Sequence, residues 1–313
     1  MEGASKTAMA DGAAVSLTAG DLRAVFWPGF GMLGASLQNC GEELLRRIDD
    51  LETAKQKGNT AGIPLLYPWA NRLGALHYRA AGRDVDLDPH SPFLHFDGHG
   101  LAMHGVPWGQ IAWQVLETKQ HSLRARLDWK LTDLLAVFPY PHSVEISIKI
   151  SPTSLQLQTE VSADSESPVP ISFGFHPYFG IPHVARAQWR LQLPAMKKLQ
   201  LDARGIPAGA SEAYGPFDGP LRQESFDDGF ALLDEGEVFS LSGGEWKINI
   251  SFLEGFRYAQ VFGPADKEFV ALEPMTAPAN ALISREGLRI LEPGGRFSAS
   301  FRIDVHSQKK RGE

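Results

Sequence analysis

The strongest secondary-structure signal in the chain is the segment VEISIKISPTSLQLQTEV, residues 144–161, in which apolar side chains recur at nearly every second position. From Val144 to Ile150 they alternate with glutamate, serine and lysine, and from Leu155 to Val161 they alternate with glutamine and glutamate. Successive side chains of a β-strand point to opposite faces of a sheet, so each run predicts a strand with one buried face. The short Ser-Pro-Thr-Ser connection between the runs is typical of an antiparallel pair.

The same period of two recurs far from this segment, strongly in Trp246–Phe252 and in Phe297–Val305. Weaker candidate strands are Ala14–Thr18, Leu22–Trp27, Ile111–Leu116, Leu123–Trp129 and Trp189–Leu193. Helical patterns are scarce: Leu44–Lys57 contains helix formers, and Leu131–Leu135 could form a single turn. Because the strands do not alternate with long helices, a doubly wound α/β fold and a TIM barrel are disfavoured.

The chain length of 313 residues allows two ordinary domains or one large all-β domain. The most linker-like segment is Ala203–Arg222, which is rich in glycine, proline and alanine and is predicted to be a loop. Strand patterns of one kind lie on both sides of it. We therefore expect a single all-β domain over residues 1–313, with ragged termini at about 1–12 and 308–313.

Composition excludes several functions. The net charge is −7 and the densest basic run is Lys309–Arg311 at the C-terminus, so nucleic-acid binding is not expected. No apolar stretch approaches the ~20 residues that span a bilayer, and the N-terminus does not have the pattern of a signal peptide. The single cysteine, Cys40, cannot form an internal disulfide, which fits a reducing cytoplasm. No nucleotide-binding glycine motif follows a strand, so no nucleotide cofactor is expected.

Four segments combine titratable or planar polar groups with aromatic and turn residues. They are GIPLLYPWANRLG (62–74), MHGVPWGQIAW (103–113), ISFGFHPYFGIP (171–182) and FVALEPMTAPANAL (269–282). In the first, the guanidinium of Arg72 needs hydrogen-bond acceptors, either a carboxylate or a ligand rich in hydroxyls. In the second, His104 lies in a glycine-rich loop with three other histidines, but their spacing matches no metal-binding motif, and no metal is expected.

The third and fourth segments supply the minimal equipment for general acid–base catalysis. His176 lies among aromatic residues, either as a proton donor and acceptor near neutral pH or as a core histidine bonded to the backbone. Glu273 ends the apolar strand Phe269–Leu272 and is followed by proline. A carboxylate at that depth is paired, bonded to turn amides, or raised in pKa.

Taken in order, these motifs resemble the aldose 1-epimerase (galactose mutarotase) family over roughly residues 15 to 306. The resemblance rests on GFGMLGASL (29–37), PWANRLG (68–74), the His104–Gly105 loop, HPYF (176–179) and LEP (272–274). It implies a large antiparallel β-supersandwich with few short helices. It also implies a groove that binds a monosaccharide, and cofactor-free interconversion of the α and β anomers of an aldose.

The resemblance also implies roles for individual residues. His176 would be the general acid that protonates the ring oxygen, and Glu273 the general base that deprotonates the C1 hydroxyl. The residues expected to hydrogen-bond the sugar are Asn71, Arg72, His104, Asp227 and Gln260. The spacing from Phe226 favours Asp227 over its neighbour Asp228 in this role.

Two positions depart from the family pattern: Asn280 stands where an aspartate is expected, and Gly229 follows Asp227 by two residues. The alternatives are a hexose-6-phosphate 1-epimerase of the same superfamily, a noncatalytic sugar-binding module and, more remotely, a β-sandwich lyase. A phosphate would need a cationic pocket, for which Arg72, Arg79 and Arg83 are candidates. The matched pair of His176 and Glu273 argues against a module that only binds.

Overall fold

The structure, a computed structural model, describes residues 14–48 and 60–307. Its regular secondary structure consists almost entirely of strands. They are β1 (Val15–Ala19), β2 (Leu22–Trp27), β3 (Leu33–Asn39), β4 (Glu42–Glu43), β5 (Leu65–Leu66), β6 (His77–Ala80), β7 (Arg83–Asp86), β8 (Gln114–Lys119), β9 (Ser122–Trp129), β10 (His142–Ile150), β11 (Ser154–Ala163), β12 (Val169–Ile171), β13 (Gly174–Phe175), β14 (Tyr178–Phe179), β15 (Arg190–Leu193), β16 (Met196–Leu201), β17 (Pro207–Tyr214), β18 (Phe217–Pro220), β19 (Phe226–Ala231), β20 (Val238–Gly243), β21 (Trp246–Glu254), β22 (Tyr258–Gly263), β23 (Val270–Met275), β24 (Arg289–Leu291) and β25 (Arg296–Ser307).

Two large sheets dominate the fold. One has nine strands in the order β18-β15-β20-β21-β25-β11-β10-β9-β8, and the other has the path β17-β16-β19-β22-β23-β13-β5, with β14 paired to β23. A four-stranded sheet, β1 to β4, and the two pairs β12-β24 and β6-β7 complete the topology. Neighbouring strands in both large sheets run antiparallel, which confirms the predicted antiparallel supersandwich.

The segment with the strongest alternation forms the middle of the nine-stranded sheet. β10 pairs with β11 from Val144 opposite Val161 to Ile150 opposite Leu155, so the apolar residues of both strands share one face. Along β10 buried and less buried positions alternate, as the sequence predicts. The other strand predictions also coincide with observed strands, except that Ile111–Leu116 becomes a strand only from Gln114. Its first residues instead close a turn, because the Ile111 amide donates to the Trp108 carbonyl.

Aromatic side chains join the two large sheets. The ring of Phe175 in β13 packs on Phe301 in β25 with centroids 5.0 Å apart, and Phe173 packs edge-on against Phe297. All four side chains belong to the same buried cluster. Burial of each such ring contributes roughly 1.5–3 kcal/mol, so these contacts hold the sheets face to face.

Three details differ from the sequence expectations. The segment Ala203–Arg222 is not only a loop, since it contains β17 and β18. β17 is exposed on both faces at the edge of its sheet, and therefore shows no alternation in sequence. The strand that carries Glu273 does not end there but continues to Met275, because Ala259 and Gly174 on the adjacent strands still pair with its last two residues.

In residues 14–48 and 60–307 the helices are few and short. They are α1 (Thr132–Val137), which overlaps the predicted turn, α2 (Ala281–Ser284), and the 3-10 turns Trp108–Gln110 and Arg186–Gln188. Leu44–Ile48 is not helical, since Leu45 bridges to Phe179; the rest of the helix-forming segment, residues 49–57, lies outside the described residues. Within the described ranges, no helix has the length and apolarity needed to cross a membrane.

Candidate active site

One cavity of about 210 Å³ lies at the face of the eight-stranded sheet. Its lining residues are Thr60, Asn71, Arg72, His95, Met103, His104, His176, Tyr178, Asp227, Gln260, Phe262 and Glu273. All seven side chains singled out from the sequence are among them. They come from positions up to two hundred residues apart, and the fold brings every one of them to the same cavity. The volume is below the roughly 300–1,000 Å³ of sites for drug-sized ligands, which suits one small molecule.

The first wall of the cavity, here called the strand wall, consists of His176, Asp227, Gln260 and Glu273. Gln260 on β22 lies directly opposite Glu273 on β23, and on its other side it lies opposite Gly229 on β19. Asp227 faces the same way as Gly229, two residues along β19, and accepts a 2.7 Å hydrogen bond from Nε2 of Gln260. The strand register therefore brings these side chains to one face of the sheet.

The register also explains the position of His176. On one side of it Gly174 pairs with Met275, and on the other Tyr178 pairs with Ala271, so His176 falls opposite Glu273. The presence of glycine at position 229, which departs from the family pattern, also has a physical reason. A Cβ at this position would lie 3.1 Å from Oε1 of Gln260, so glycine makes room for the amide.

The second wall, here called the loop wall, consists of Asn71, Arg72 and His104, which lie in two irregular loops. Asn71 and His104 both have positive φ angles, 58° and 64°. Two hydrogen bonds join the loops. The backbone N–H of His104 donates to the backbone carbonyl of Asn71, and the backbone N–H of Asn71 donates to Nδ1 of His104. Asn280, the other position that departs from the family pattern, anchors the first loop. Its side-chain Oδ1 accepts from the backbone N–H of Gly74, and its backbone N–H donates to the Arg72 carbonyl.

Arg72 is held by a carboxylate that the sequence reading did not identify. Its Nε donates to Oδ2 of Asp97 at 2.7 Å, and the Asp97 side chain is only 6% exposed. Burial opposes the charge on Asp97, but the Leu101 amide and the Arg72 guanidinium bond to it and hold its pKa below the ordinary value. The other two candidate arginines lie elsewhere: Arg79 pairs with Asp84, and Arg83 lies over the Tyr140 ring.

The chemical centre of the cavity is the contact between Nε2 of His176 and Oε1 of Glu273, 3.1 Å apart. Both residues are almost fully buried, with 4% and 1% exposure. The Tyr178 ring stacks on the imidazole at a centroid distance of 4.1 Å, and its hydroxyl lies 3.2 Å from the same Nε2. Nδ1 of His176 and Oε2 of Glu273 are buried without a hydrogen-bond partner among the described residues.

Burial shifts the pKa values of His176 and Glu273 in opposite directions. Desolvation, reinforced by the neighbouring His104, lowers the pKa of His176 well below its usual value. Desolvation and the nearby charge of Asp227 raise the pKa of Glu273 well above its usual value, with Arg72 acting in the opposite sense. Both shifts favour the uncharged forms, a neutral imidazole and a carboxylic acid whose proton is within hydrogen-bond distance of Nε2 of His176.

His104 is also neutral. Burial, together with the positive charges that His95 and Arg72 carry when protonated, lowers the pKa of His104 to about 3. Since its Nδ1 accepts a hydrogen bond from the Asn71 amide, the ring proton resides on Nε2. His104 is therefore a hydrogen-bond donor at neutral pH rather than a cation.

Several lining residues were not predicted as site residues. Tyr178 lies two positions after His176, so the period of two could have placed it on the same face. His95 belongs to the histidine-rich loop noted above. Thr60, whose hydroxyl bonds to that of Tyr178, and Phe262 carry no signal in the sequence. Within residues 14–48 and 60–307, no group of three or more His, Cys, Asp or Glu side chains is arranged to hold a metal ion.

Two broad antiparallel sheets with one polar cavity define a galactose mutarotase-like fold, and solved structures support this. A galactose mutarotase-like protein from Clostridium acetobutylicum is 18% identical with a TM-score of 0.83, covering 94% of this chain and 95% of the other. A putative aldose 1-epimerase from Escherichia coli K12 is 19% identical (TM-score 0.76; 94% and 99% covered). Galactose 1-epimerase from Lactobacillus acidophilus NCFM is 12% identical (TM-score 0.76; 95% of each chain).

The sequence model of the aldose 1-epimerase family matches residues 14–304. The chain therefore belongs to the aldose 1-epimerase family. No curated protein matches its sequence significantly. The solved structures share the fold at low identity, so the substrate and the roles of individual residues rest on the cavity.

Proposed function

We propose that this protein is an aldose 1-epimerase that interconverts the α and β anomers of an unphosphorylated hexose. The observation that carries the proposal is the buried contact between His176 and Glu273 in a cavity lined by hydrogen-bonding side chains. An acid and a base in contact, with one proton between them, are what a double proton transfer requires. The reaction needs no metal and no cofactor.

In the proposed reaction, the shared proton first passes from Glu273 to His176. The carboxylate then accepts the proton of the C1 hydroxyl, while Nε2 of His176 donates its proton to the ring oxygen. The bond between C1 and the ring oxygen breaks and C1 becomes an aldehyde. The pair is left neutral, the state that burial favours.

Rotation about the C1–C2 bond then presents the other face of the aldehyde to the former ring oxygen. The reverse proton transfers close the ring to the other anomer, and the enzyme returns unchanged. Asn71, Arg72, His104, Asp227 and Gln260 would hold the hydroxyl groups, which orients the sugar for both steps. Neutral His104 donates through Nε2, and exposed Asp227 accepts.

The charges around the cavity favour an unphosphorylated sugar over the hexose-6-phosphate alternative. Arg72 is already bonded to Asp97, while neither Arg79 nor Arg83 lines the cavity. Asp227 also borders an adjoining open groove of about 620 Å³ in which Asp202, Glu212 and Asp228 outnumber Lys198. A phosphate dianion would meet carboxylates there rather than a cationic pocket.

The buried contact between His176 and Glu273 argues against a noncatalytic sugar-binding module, because a module that only binds needs no matched acid and base. The proposal also needs a single domain, because the cavity draws on residues from Thr60 to Glu273. We further infer a cytoplasmic enzyme whose partner is a monosaccharide, in keeping with one unpaired cysteine.

The test is polarimetry of freshly dissolved α-D-glucose and α-D-galactose. The protein is expected to accelerate mutarotation, and His176→Asn or Glu273→Gln to lower kcat about 10²–10⁴-fold. The exposed pair of substitutions His121→Asn and Glu245→Gln is the matched control and should leave the rate unchanged. Acceleration that survives both substitutions in the cavity would refute the residue assignment. If the protein accelerates mutarotation of no aldose or aldose 6-phosphate, the proposed enzymatic function is refuted.

A further inference from the structure

A small apolar recess adjoins the cavity on the side of the loop wall. Four residues line both spaces: Thr60, His95, Met103 and His104. Beyond this shared border the walls are hydrocarbon, formed mainly by Leu65, Leu66, Val106, Pro107 and Trp108. The recess therefore extends a polar sugar-sized cavity with a pocket of opposite character.

The recess is the size of one small group. Its volume is about 20 Å³, close to the space that a single water molecule requires. Side-chain partners for a water molecule there are confined to the border, where two polar groups already have partners and the imidazole of His95 and Nε2 of His104 remain. The Thr60 hydroxyl bonds to that of Tyr178, and Nδ1 of His104 accepts from the Asn71 amide. A methyl group would fill the space and lose no hydrogen bond.

The proposed function, on which this inference rests, fixes which sugar substituent points toward the recess. The C1 hydroxyl lies at Glu273 and the ring oxygen at His176. The ring oxygen is bonded to C1 on one side and to C5 on the other, so the C5 substituent lies on the side of His176 away from Glu273. Two residues that line the recess lie beside His176: His104, whose ring centroid is 5.6 Å from that of His176, and Thr60, whose hydroxyl bonds to the Tyr178 hydroxyl, itself 3.2 Å from Nε2 of His176. Glu273 lines the cavity but not the recess, so we place the recess on the C5 side of the sugar.

We infer that the recess receives the C5 substituent and that the preferred substrates are 6-deoxyhexoses, in which this substituent is a methyl group. The hydroxymethyl group of an ordinary hexose would place a hydroxyl against the hydrocarbon walls beyond the border, which is unfavourable. A 6-phosphate would bring two charges into the same hydrocarbon surroundings. A pentose, with only hydrogen at this position, would leave the recess empty.

The test compares four sugars that differ only in this substituent: D-xylose, 6-deoxy-D-glucose, D-glucose and D-glucose 6-phosphate. The galactose series (L-arabinose, 6-deoxy-D-galactose, D-galactose) is measured in parallel, so that both configurations at C4 are compared. After subtraction of the spontaneous rate, kcat/KM should be highest for the 6-deoxyhexose. The expected margin over both the pentose and the hexose is about tenfold, the lower end for one carbon in an apolar pocket.

Variants at Val106, a buried residue of the recess, sharpen the test. Val106→Ile adds a methylene that occupies the recess, and should reverse the preference so that the pentose exceeds the 6-deoxyhexose. Val106→Thr keeps the volume but adds a hydroxyl, and should lower the ratio of 6-deoxyhexose to hexose several-fold. Val305→Thr, at a buried position that lines neither the cavity nor the recess, is the matched control and should leave this ratio unchanged.

The outcomes separate the two proposals. Acceleration of D-glucose or D-galactose equal to or greater than that of the 6-deoxy sugar would overturn the recess inference while the proposed function stands. No acceleration of any sugar would overturn the proposed function itself. The wild-type comparison decides the question even if the isoleucine variant does not fold.

Discussion

The strand wall and the loop wall face the same cavity but are constructed in different ways. In the strand wall, Gln260 and Glu273 are opposite partners in a ladder, and His176 falls opposite Glu273 by the same register. In the loop wall, Asn71 and His104 have left-handed backbone conformations and depend on hydrogen bonds between two irregular segments. The acid–base pair thus belongs to the regular wall, and three of the groups proposed to orient the sugar belong to the irregular one.

The two walls therefore differ in how their side chains are held in position. A ladder fixes side-chain positions through many weak, repeated contacts, so a single substitution there changes chemistry more than structure. The loops have few such repeats and instead depend on individual close approaches and buried ion pairs. We therefore expect the loop wall to be sensitive in stability and the strand wall to be sensitive in catalysis.

The largest effect is expected for Gly105→Ala, next to His104 of the loop wall. Gly105 has a φ of 69°, and a Cβ there would collide with the Tyr67 carbonyl and lie 2.7 Å from the Pro68 nitrogen. The free energy of unfolding, measured by urea denaturation, should fall by more than about 3 kcal/mol. The matched control is Gly100→Ala, with a similar φ of 72° but no atom within 4 Å, which should lose only about 1–2 kcal/mol. Equal losses would show that close approach does not shape this wall.

A smaller loss of stability is expected for Asp97→Asn. The substitution leaves the guanidinium of Arg72, whose side chain is 19% exposed, without its charged partner, so the free energy of unfolding should fall by about 2 kcal/mol. KM should rise, because Arg72 is no longer held toward the sugar. The control is Asp84→Asn, which breaks an exposed pair with Arg79 and should change stability by less than about 1 kcal/mol. A loss no greater than that of the control would contradict the proposed anchoring.

The smallest effect on stability, but a distinct effect on chemistry, is expected for Asp227→Asn in the strand wall. Asp227 helps to raise the pKa of Glu273, so removing its charge should lower that pKa. The limb of the kcat/KM profile that reports Glu273 should shift to lower pH, and kcat/KM at its optimum should fall about tenfold through the lost sugar contact. Asp228→Asn, which breaks the pair with Lys198, should leave this limb in place. If this limb does not shift in Asp227→Asn, the charge of Asp227 does not influence the pKa of Glu273.

The sequence predicted the fold better than the details of the site. The alternation in β10, β11, β21 and β25 predicted strands that the structure confirms, since period-two burial depends only on near neighbours. The edge strand β17 was missed because both of its faces are exposed. Thr60 and Asp97 were missed as site residues because their importance lies in contacts with distant segments, whereas Tyr178, two positions after His176, could have been placed on the same face by the period of two.

Local pattern was sufficient for the antiparallel strands, the apolar faces and the aromatic setting of His176 and Glu273, because each of these depends on residues adjacent in the chain. Resemblance to a family supplied the order of the motifs. Only the tertiary structure decided that His176 lies 3.1 Å from Glu273, that Arg72 is bonded to Asp97, and that an apolar recess adjoins the sugar cavity. These features arise where β-strand registers and loop contacts join segments up to two hundred residues apart, and no short stretch of sequence encodes such distances.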